Sequence, residues 1–179
     1  MKHIFYHLTA VMVVVVWGMT FISTKVLIVH GLSAQEIFLF RFLLAYAAVC
    51  PISFHRFFAR NLKDELYLVG GGVLGGSLFF FLQNMALGLT QASNVSFIIC
   101  MAPLLTAVLT VLSVRTEKVS RGFIYGSIIA LLGVGLLIFN GSFILRISPL
   151  GDLLTLLASL SWAFYSLVIR SLTRKYSPA

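Results

Sequence analysis

The chain of 179 residues is 60% hydrophobic and only 10% charged, yet carries a formal net charge of +8. Soluble domains hold about 45–50% apolar and about 25% charged residues, so a water-borne globule is excluded and part of the solvent must be lipid. A nucleic-acid partner, one reading of so basic a chain, is removed by where the positive charges fall.

A helix crossing a bilayer needs about 20 mostly apolar residues, and six stretches provide them. The sequence lacks the sustained period-two alternation of a lipid-facing barrel, so the expected fold is all-α: a polytopic bundle of six transmembrane helices. The first stretch, 8–29, is too long for a cleaved signal peptide and is read as a retained helix. Trp17, Thr20 and Thr24 follow one another at helical spacing and share a face. Lys25, near the far end, either snorkels to the interface or forms a basic gate for anionic groups. The second stretch, 37–57, holds Arg41 near its start, as a further gate residue, and Pro51, which frees the carbonyl of Ala47.

The third, 66–89, carries Gly71 and Gly75, and Gly72 and Gly76, as paired Gly-x-x-x-Gly spacings that let another helix approach closely. It also holds Gln83 and Asn84, amides that must face protein or a wet cavity because bare amides are costly in hydrocarbon. Adjacent on a helix, they point about 100° apart, so only one faces a cleft squarely. The fourth, 94–114, contains Pro103, a second kink that frees the carbonyl of Ile99. The fifth, 123–139, follows Gly122 and holds Gly126 and Ala130, again at packing spacing. The sixth, 153–172, presents Trp162, Tyr165 and Ser166 on one face. Cys50 and Cys100 lie in apolar runs without pairing or metal spacing and read as small core residues. No metal ligands, cofactor motif or phosphate-cradling loop are recognised.

The basic residues are not spread evenly. Ten of the thirteen fall at the amino end, in or bordering the second-to-third and fourth-to-fifth links, and at or beyond the end of the sixth stretch. Lys25, Arg41 and Arg146 are the remainder. This is the positive-inside pattern, and it predicts a cytoplasmic amino terminus.

Two segments echo each other: WGMTFISTK from Trp17 and WAFYSLVIR from Trp162, each ending in a base eight positions after the tryptophan. The second copy begins five spans after the first, so it must run through the bilayer in the opposite sense. Inverted repeats recur in secondary transporters, with the substrate site near the midplane between them. The chain is therefore expected to divide into a five-helix repeat, 1–145, and the first helix of a second repeat, 146–179. A ten-helix protein cut after its sixth helix would look this way.

Several segments carry a family resemblance. WGMTFISTK, the FLFRFLLAYAAVCP that begins at Phe38, the FFFLQNMALGL between Phe79 and Leu89 with Ala92-Ser93 after it, MAPLLT from Met101, Glu117, and Gly151-Asp152 with Ser161-Trp162-Ala163 occur in the order and spacing of an EamA-type permease. The chain resembles the amino-terminal six helices of such permeases, of the drug/metabolite transporter superfamily. The resemblance implies ten helices in two repeats, a bacterial inner membrane, and movement of small metabolites, amino acids or drugs.

The expected function is then carriage of a small solute by alternating access, with lipid around the bundle. Trp17, Thr20, Thr24, Gln83, Asn84, Trp162 and Tyr165 are the candidate solute contacts, rings covering its apolar part and polar groups replacing its lost water. The alternative is a non-transporting subunit that pairs with a complementary carboxyl half or with its own copies. A lipid-linked-sugar flippase is a variant of the first. Enzyme chemistry finds no His-Glu-x-x-His, paired aspartates or Ser-His dyad within a span. No Asp or Glu lies deep in any span, so this portion shows no proton relay.

Overall fold

The computed structural model describes residues 2–53, 61–113, 120–139 and 148–173, and every regular element among them is helical. In chain order these are α1 (Lys2–Val29), α2 (Ala34–Ser53), α3 (Leu62–Gly71), a π-helical segment (Gly72–Leu78), α4 (Phe79–Leu89), α5 (Ala92–Ile99), α6 (Ala102–Ser113), α7 (Arg121–Phe139) and α8 (Pro149–Thr173). α3, the π segment and α4 form one rod, the predicted third span, and α5 with α6 forms the fourth. Five rods are long and apolar enough to cross a bilayer: Ile4–Val29, Ala34–Pro51, Leu62–Leu89, Ala92–Ser113 and Pro149–Thr173. Arg121–Gly133 is a shorter apolar stretch among the described residues. The protein is a multi-pass membrane bundle, its large exposed apolar side chains solvated by acyl chains.

The helix ends have local causes. α1 stops in a Schellman motif: Leu32 N–H donates to Leu27 O at 3.1 Å and Gly31 N–H to Ile28 O at 3.1 Å, with Gly31 at φ 98°, which glycine adopts without steric cost. α2 starts in a capping box, in which Ser33 N–H and Oγ both donate to the Glu36 carboxylate, at 2.8 and 2.7 Å. Glu36 is thereby occupied at its own helix start rather than paired with Lys25 or Arg41. Ser120 Oγ accepts from Phe123 N–H at the start of α7. α8 begins at Pro149, where a missing N–H costs nothing, and Ser148 N–H donates to Asp152 Oδ2 at 3.2 Å.

α8 is the hub, packing against α3, the π segment, α4, α5 and α6. Its direction is read from successive contacts along the third rod. Gly71 meets Ile169, Gly75 meets Tyr165, Phe79 meets Trp162 and Thr90 meets Gly151, so the two rods are antiparallel. Trp17 meets Phe79 and Lys25 reaches Leu87 and Thr90, so α1 runs parallel to the third rod. α1 and α8 therefore point in opposite directions.

Two irregularities interrupt the rods. In the π segment the Phe79 N–H bonds back to Leu74 O, five residues earlier, and that carbonyl also accepts from Ser161 Oγ of α8 at 2.8 Å. The fourth rod breaks at Cys100–Met101, just before Pro103; Met101 N–H falls back on Ile98 O at 3.0 Å, and Ser159 Oγ of α8 also reaches that carbonyl at 3.3 Å. Pro51, by contrast, sits inside a continuous α2.

Packing differs from expectation at three places. Cys100 is exposed at the helix break and Cys50 only half-buried, so neither is a core residue. Of the third-rod glycines, Gly71 and Gly75 face α8 and Gly76 faces Phe42, whereas a Cβ on Gly72 would meet nothing within 4 Å among the described residues. The same holds for Gly122 and Gly126, whose spacing does not mark a helix contact here.

Candidate functional site

Four aromatic rings from three rods meet in the middle of the bundle. Trp17 of α1 and Trp162 of α8 have ring centroids 5.5 Å apart, and Phe79 of α4 lies 4.9 Å from Trp162 and 6.4 Å from Trp17. Tyr165 continues the layer at 5.0 Å from Trp162. The antiparallel crossing of α1 and α8 brings the two echoing tryptophans together, but as a closed stack and not as two walls of a hollow. Phe79, which completes the stack, had no signal in the sequence beyond a run of three phenylalanines.

The two sides of this layer differ. Toward Lys25, Thr90 and Gly151 the bundle is sealed. Phe21, Ala86, Leu87 and Val95 form a buried core there, with Ile28, Ala92 and Leu154 packed on it. On the opposite side, residues 4–16 of α1 are exposed all round.

Gln83 and Asn84 lie in the sealed region, each fully buried. Among the described residues neither amide nitrogen nor oxygen has a hydrogen-bond partner, and Trp17 Nε1 is equally buried and unpartnered. Each such group costs about 1–3 kcal/mol, and native structures keep few of them. Phe80 and Phe81, which flank the Asn84 side of α4, hold Phe42 and Phe38 of α2 at 5.8 and 6.1 Å. Gln83 follows Phe79 by one helical turn, so it lies on the side of the tryptophan pair.

The predicted hydroxyl face of α1 is partly spent. Thr20 Oγ1 donates to Trp17 O at 2.6 Å, within its own helix, and Thr24 is buried. The half-buried Arg41 guanidinium stacks on the Phe80 ring, with Cζ 4.6 Å from the centroid. Lys25 is a clamp. Its Nζ donates to Leu87 O at 2.6 Å and Thr90 O at 2.9 Å, the carbonyls that end α4, where a cation also complements the helix dipole. Lys25→Met should therefore cost about 1.5–3 kcal/mol, since both bonds are charge-assisted. The check is a lowered thermal midpoint in detergent; an unchanged midpoint would mean the clamp adds nothing.

On the open side of the aromatic layer lies a groove of about 610 Å³ between α6, the start of α7 and α8. Of the predicted site residues, Trp162 and Pro103 line it; Trp17, Thr20, Thr24, Gln83, Asn84 and Tyr165 are not among its described lining. Its walls carry Thr106, Thr110, Ser120 and Ser166, with Phe123 of α7 also in the lining and Arg170 at its end on α8. Ser166 was already placed on the face of Trp162; the others were missed, although Thr106 and Thr110 on one rod, and Ser166 and Arg170 on another, repeat at a spacing of four beside a proline and a tryptophan. Among the described residues no group of His, Cys, Asp or Glu is disposed to hold a metal ion.

Comparison with curated proteins and with solved structures returned no significant match. A family comparison did: the sequence model of the EamA-like transporter family matches residues 4–139. With most of its length inside that match, the chain belongs to the EamA-like transporter family.

Proposed function

We propose that the chain carries a small solute across the bilayer by alternating access, and that its structure corresponds to a state closed at one face and open at the other. One observation carries this reading: the Trp17–Trp162 stack at 5.5 Å divides a sealed half from a half with an open groove. The positive-inside charge distribution supports a groove on the cytoplasmic side and a Lys25 clamp on the outer side. In the echoing segments Lys25 and Arg170 hold equivalent positions. The first ties its rod to a neighbour at the closed end, while the second lines the groove at the open end. Such a difference between matched residues suits a repeat pair whose halves exchange conformations, the substrate crossing near the midplane.

In this mechanism a solute enters the groove, rests against Trp162, and meets Trp17 and Gln83 once the aromatic layer parts. The indole N–H and the amide NH2 then donate, and the amide oxygen accepts, the hydrogen bonds they lack. A ligand shifts such an equilibrium only by binding the two states unequally, and pairing these atoms in one state supplies that difference. The test is counterflow in proteoliposomes, with labelled amino acids, nucleobases and small aromatic acids trapped against unlabelled solute. Saturable exchange above protein-free vesicles is expected. Flux equal to the blank for every solute would overturn the carrier reading in favour of a non-transporting partner.

A further inference from the structure

We infer that the solute is a flat, uncharged ring with a cyclic amide edge, an N–H beside a C=O, which pairs with the Gln83 carboxamide. The inference rests on the carrier reading in taking Gln83 to lie on the solute's path, and it adds the chemistry that path selects. Phe79, Gln83, Ala86 and Leu87 form one buried stripe along α4, at helical spacing. Phe79 sits against both tryptophans, while Ala86 and Leu87 belong to the core around Phe21 and Val95. Gln83 therefore occupies the layer next to the Trp17–Trp162 stack, on its sealed side. The two indole centroids are 5.5 Å apart in the closed stack. Indoles flanking a flat ring need about 7–8 Å, twice the contact distance of aromatic carbons, so a widening of about 2 Å admits a flat ring and shuts out a branched, saturated body.

The hydrogen-bonding inventory specifies the edge of that ring. Gln83 Nε2 and Oε1 and Trp17 Nε1 are all buried and unpartnered among the described residues. A carboxamide offers a donor and an acceptor side by side in one plane, and its complement is an acceptor and a donor side by side, as in a lactam or an imide. The indole N–H is a further donor, which a second carbonyl oxygen satisfies. Charge is excluded by the surroundings. No Asp, Glu, Lys, Arg or His lies on α4 or α5, on α1 from Trp17 to Thr24, or on α8 from Leu153 to Ile169. The cations that border this region are engaged, Lys25 with Leu87 O and Thr90 O and Arg41 with the face of Phe80. Asp152 stands toward the start of α8, ten residues and about 15 Å along the helix from Trp162. An ion beside Gln83 would lose its hydration with no opposite charge to replace it. The groove agrees with an N–H on the solute. Thr106 Oγ1 donates to Ala102 O at 2.8 Å, Thr110 Oγ1 to Thr106 O at 2.7 Å and Ser166 Oγ to Trp162 O at 2.9 Å, so these hydroxyls have lone pairs to offer on the way in.

Three flat probes of similar size decide the matter: 2-pyridone, N-methyl-2-pyridone, in which a methyl replaces the N–H, and benzoate, which is charged. Each is labelled, and its saturable binding to the full chain is measured in phosphatidylcholine nanodiscs, with empty discs as the blank. N-methyl-2-pyridone and benzoate should bind at least about tenfold more weakly than 2-pyridone. Gln83→Met should bring 2-pyridone down to the level of its N-methyl derivative and leave that derivative within about threefold, a loss of preference that a purely structural amide would not produce. Trp17→Phe, which keeps an aromatic ring and loses the indole N–H, should weaken 2-pyridone binding by about threefold. The phenylalanine variant keeps the test alive if the methionine one does not fold. Equal binding of all three probes, no saturable binding of 2-pyridone up to about 10 mM, or an unchanged preference in both variants overturns the inference. Counterflow of other solutes without preference for the lactam sinks this inference alone, whereas lactam-selective binding with flux equal to the blank upholds it and sinks the carrier reading.

Discussion

Gly75→Leu is expected to abolish accumulation of folded protein, and Gly75→Ala to lower its thermal midpoint, while Gly72→Ala leaves both intact. A Cβ on Gly75 would lie 2.4 Å from Cγ of Tyr165 and 2.5 and 2.8 Å from the two Cδ atoms. These are atoms of a rigid ring, not the far end of a flexible chain. The ring cannot retreat easily, because its other neighbour is Trp162, 5.0 Å away between centroids. The π segment cannot yield freely either, since Ser161 pins the Leu74 carbonyl one residue earlier. Overpacking of this kind costs about 1–3 kcal/mol for small additions and more for large ones. Against a total of about 5–15 kcal/mol that is a large fraction. At Gly72 the added methyl meets nothing within 4 Å, and alanine's better helix propensity offsets any small loss. Tyr165→Ala in the Gly75→Ala background should recover part of the midpoint, because it removes the ring the methyl strikes. A Gly75→Ala protein as stable as the parent would show that the close approach of the two rods is dispensable.

This prediction marks the boundary of what the sequence discloses. Hydropathy locates the rods because lipid demands long apolar runs, and the charge count gives them an expected orientation. It places the starts of the second and sixth spans three or four residues late, at Ile37 and Leu153, because capping segments such as Ser33–Glu36 and Ser148–Asp152 are polar and lower the local average. The echo around Trp17 and Trp162 is legible too, and with it that their rods face each other, but it points to a site between the two rings and not to the closed stack they form. The glycines are legible only as a class. Which of them faces a neighbour depends on the rotational register of the rod, and the π segment shifts that register by widening the turn. Lys25 shows the second limit. Its partners are backbone carbonyls 62 and 65 residues away, and every residue has a carbonyl, so no pattern points to them. The groove shows the third: three rods must be placed before the hydroxyls of α6 and α8 become one surface.

Gln83→Met is expected to raise stability and to remove transport, two effects of opposite sign from one change. Gln83 is fully buried and both its polar side-chain atoms lack partners. Methionine has nearly the same volume and no amide to desolvate, so the folded state should gain about 1–3 kcal/mol. Were the amide interhelical glue, it would be bonded across to another rod, as Ser159 and Ser161 are to Ile98 and Leu74. On the carrier reading proposed above, a polar group kept unpaired in so apolar a protein waits for a solute that visits. Flux should then fall by about tenfold or more, which corresponds to losing about 1.4 kcal/mol of stabilisation along the transport cycle. Asn84→Leu provides the contrast. It points about 100° away, toward the phenylalanines that α2 covers, so it should share the stability gain with flux within about threefold of the parent. Thermal midpoints and counterflow rates measured on the same preparations separate the cases. A Gln83→Met protein that is more stable and transports normally would make the amide a tolerated packing defect and remove it from the solute's path.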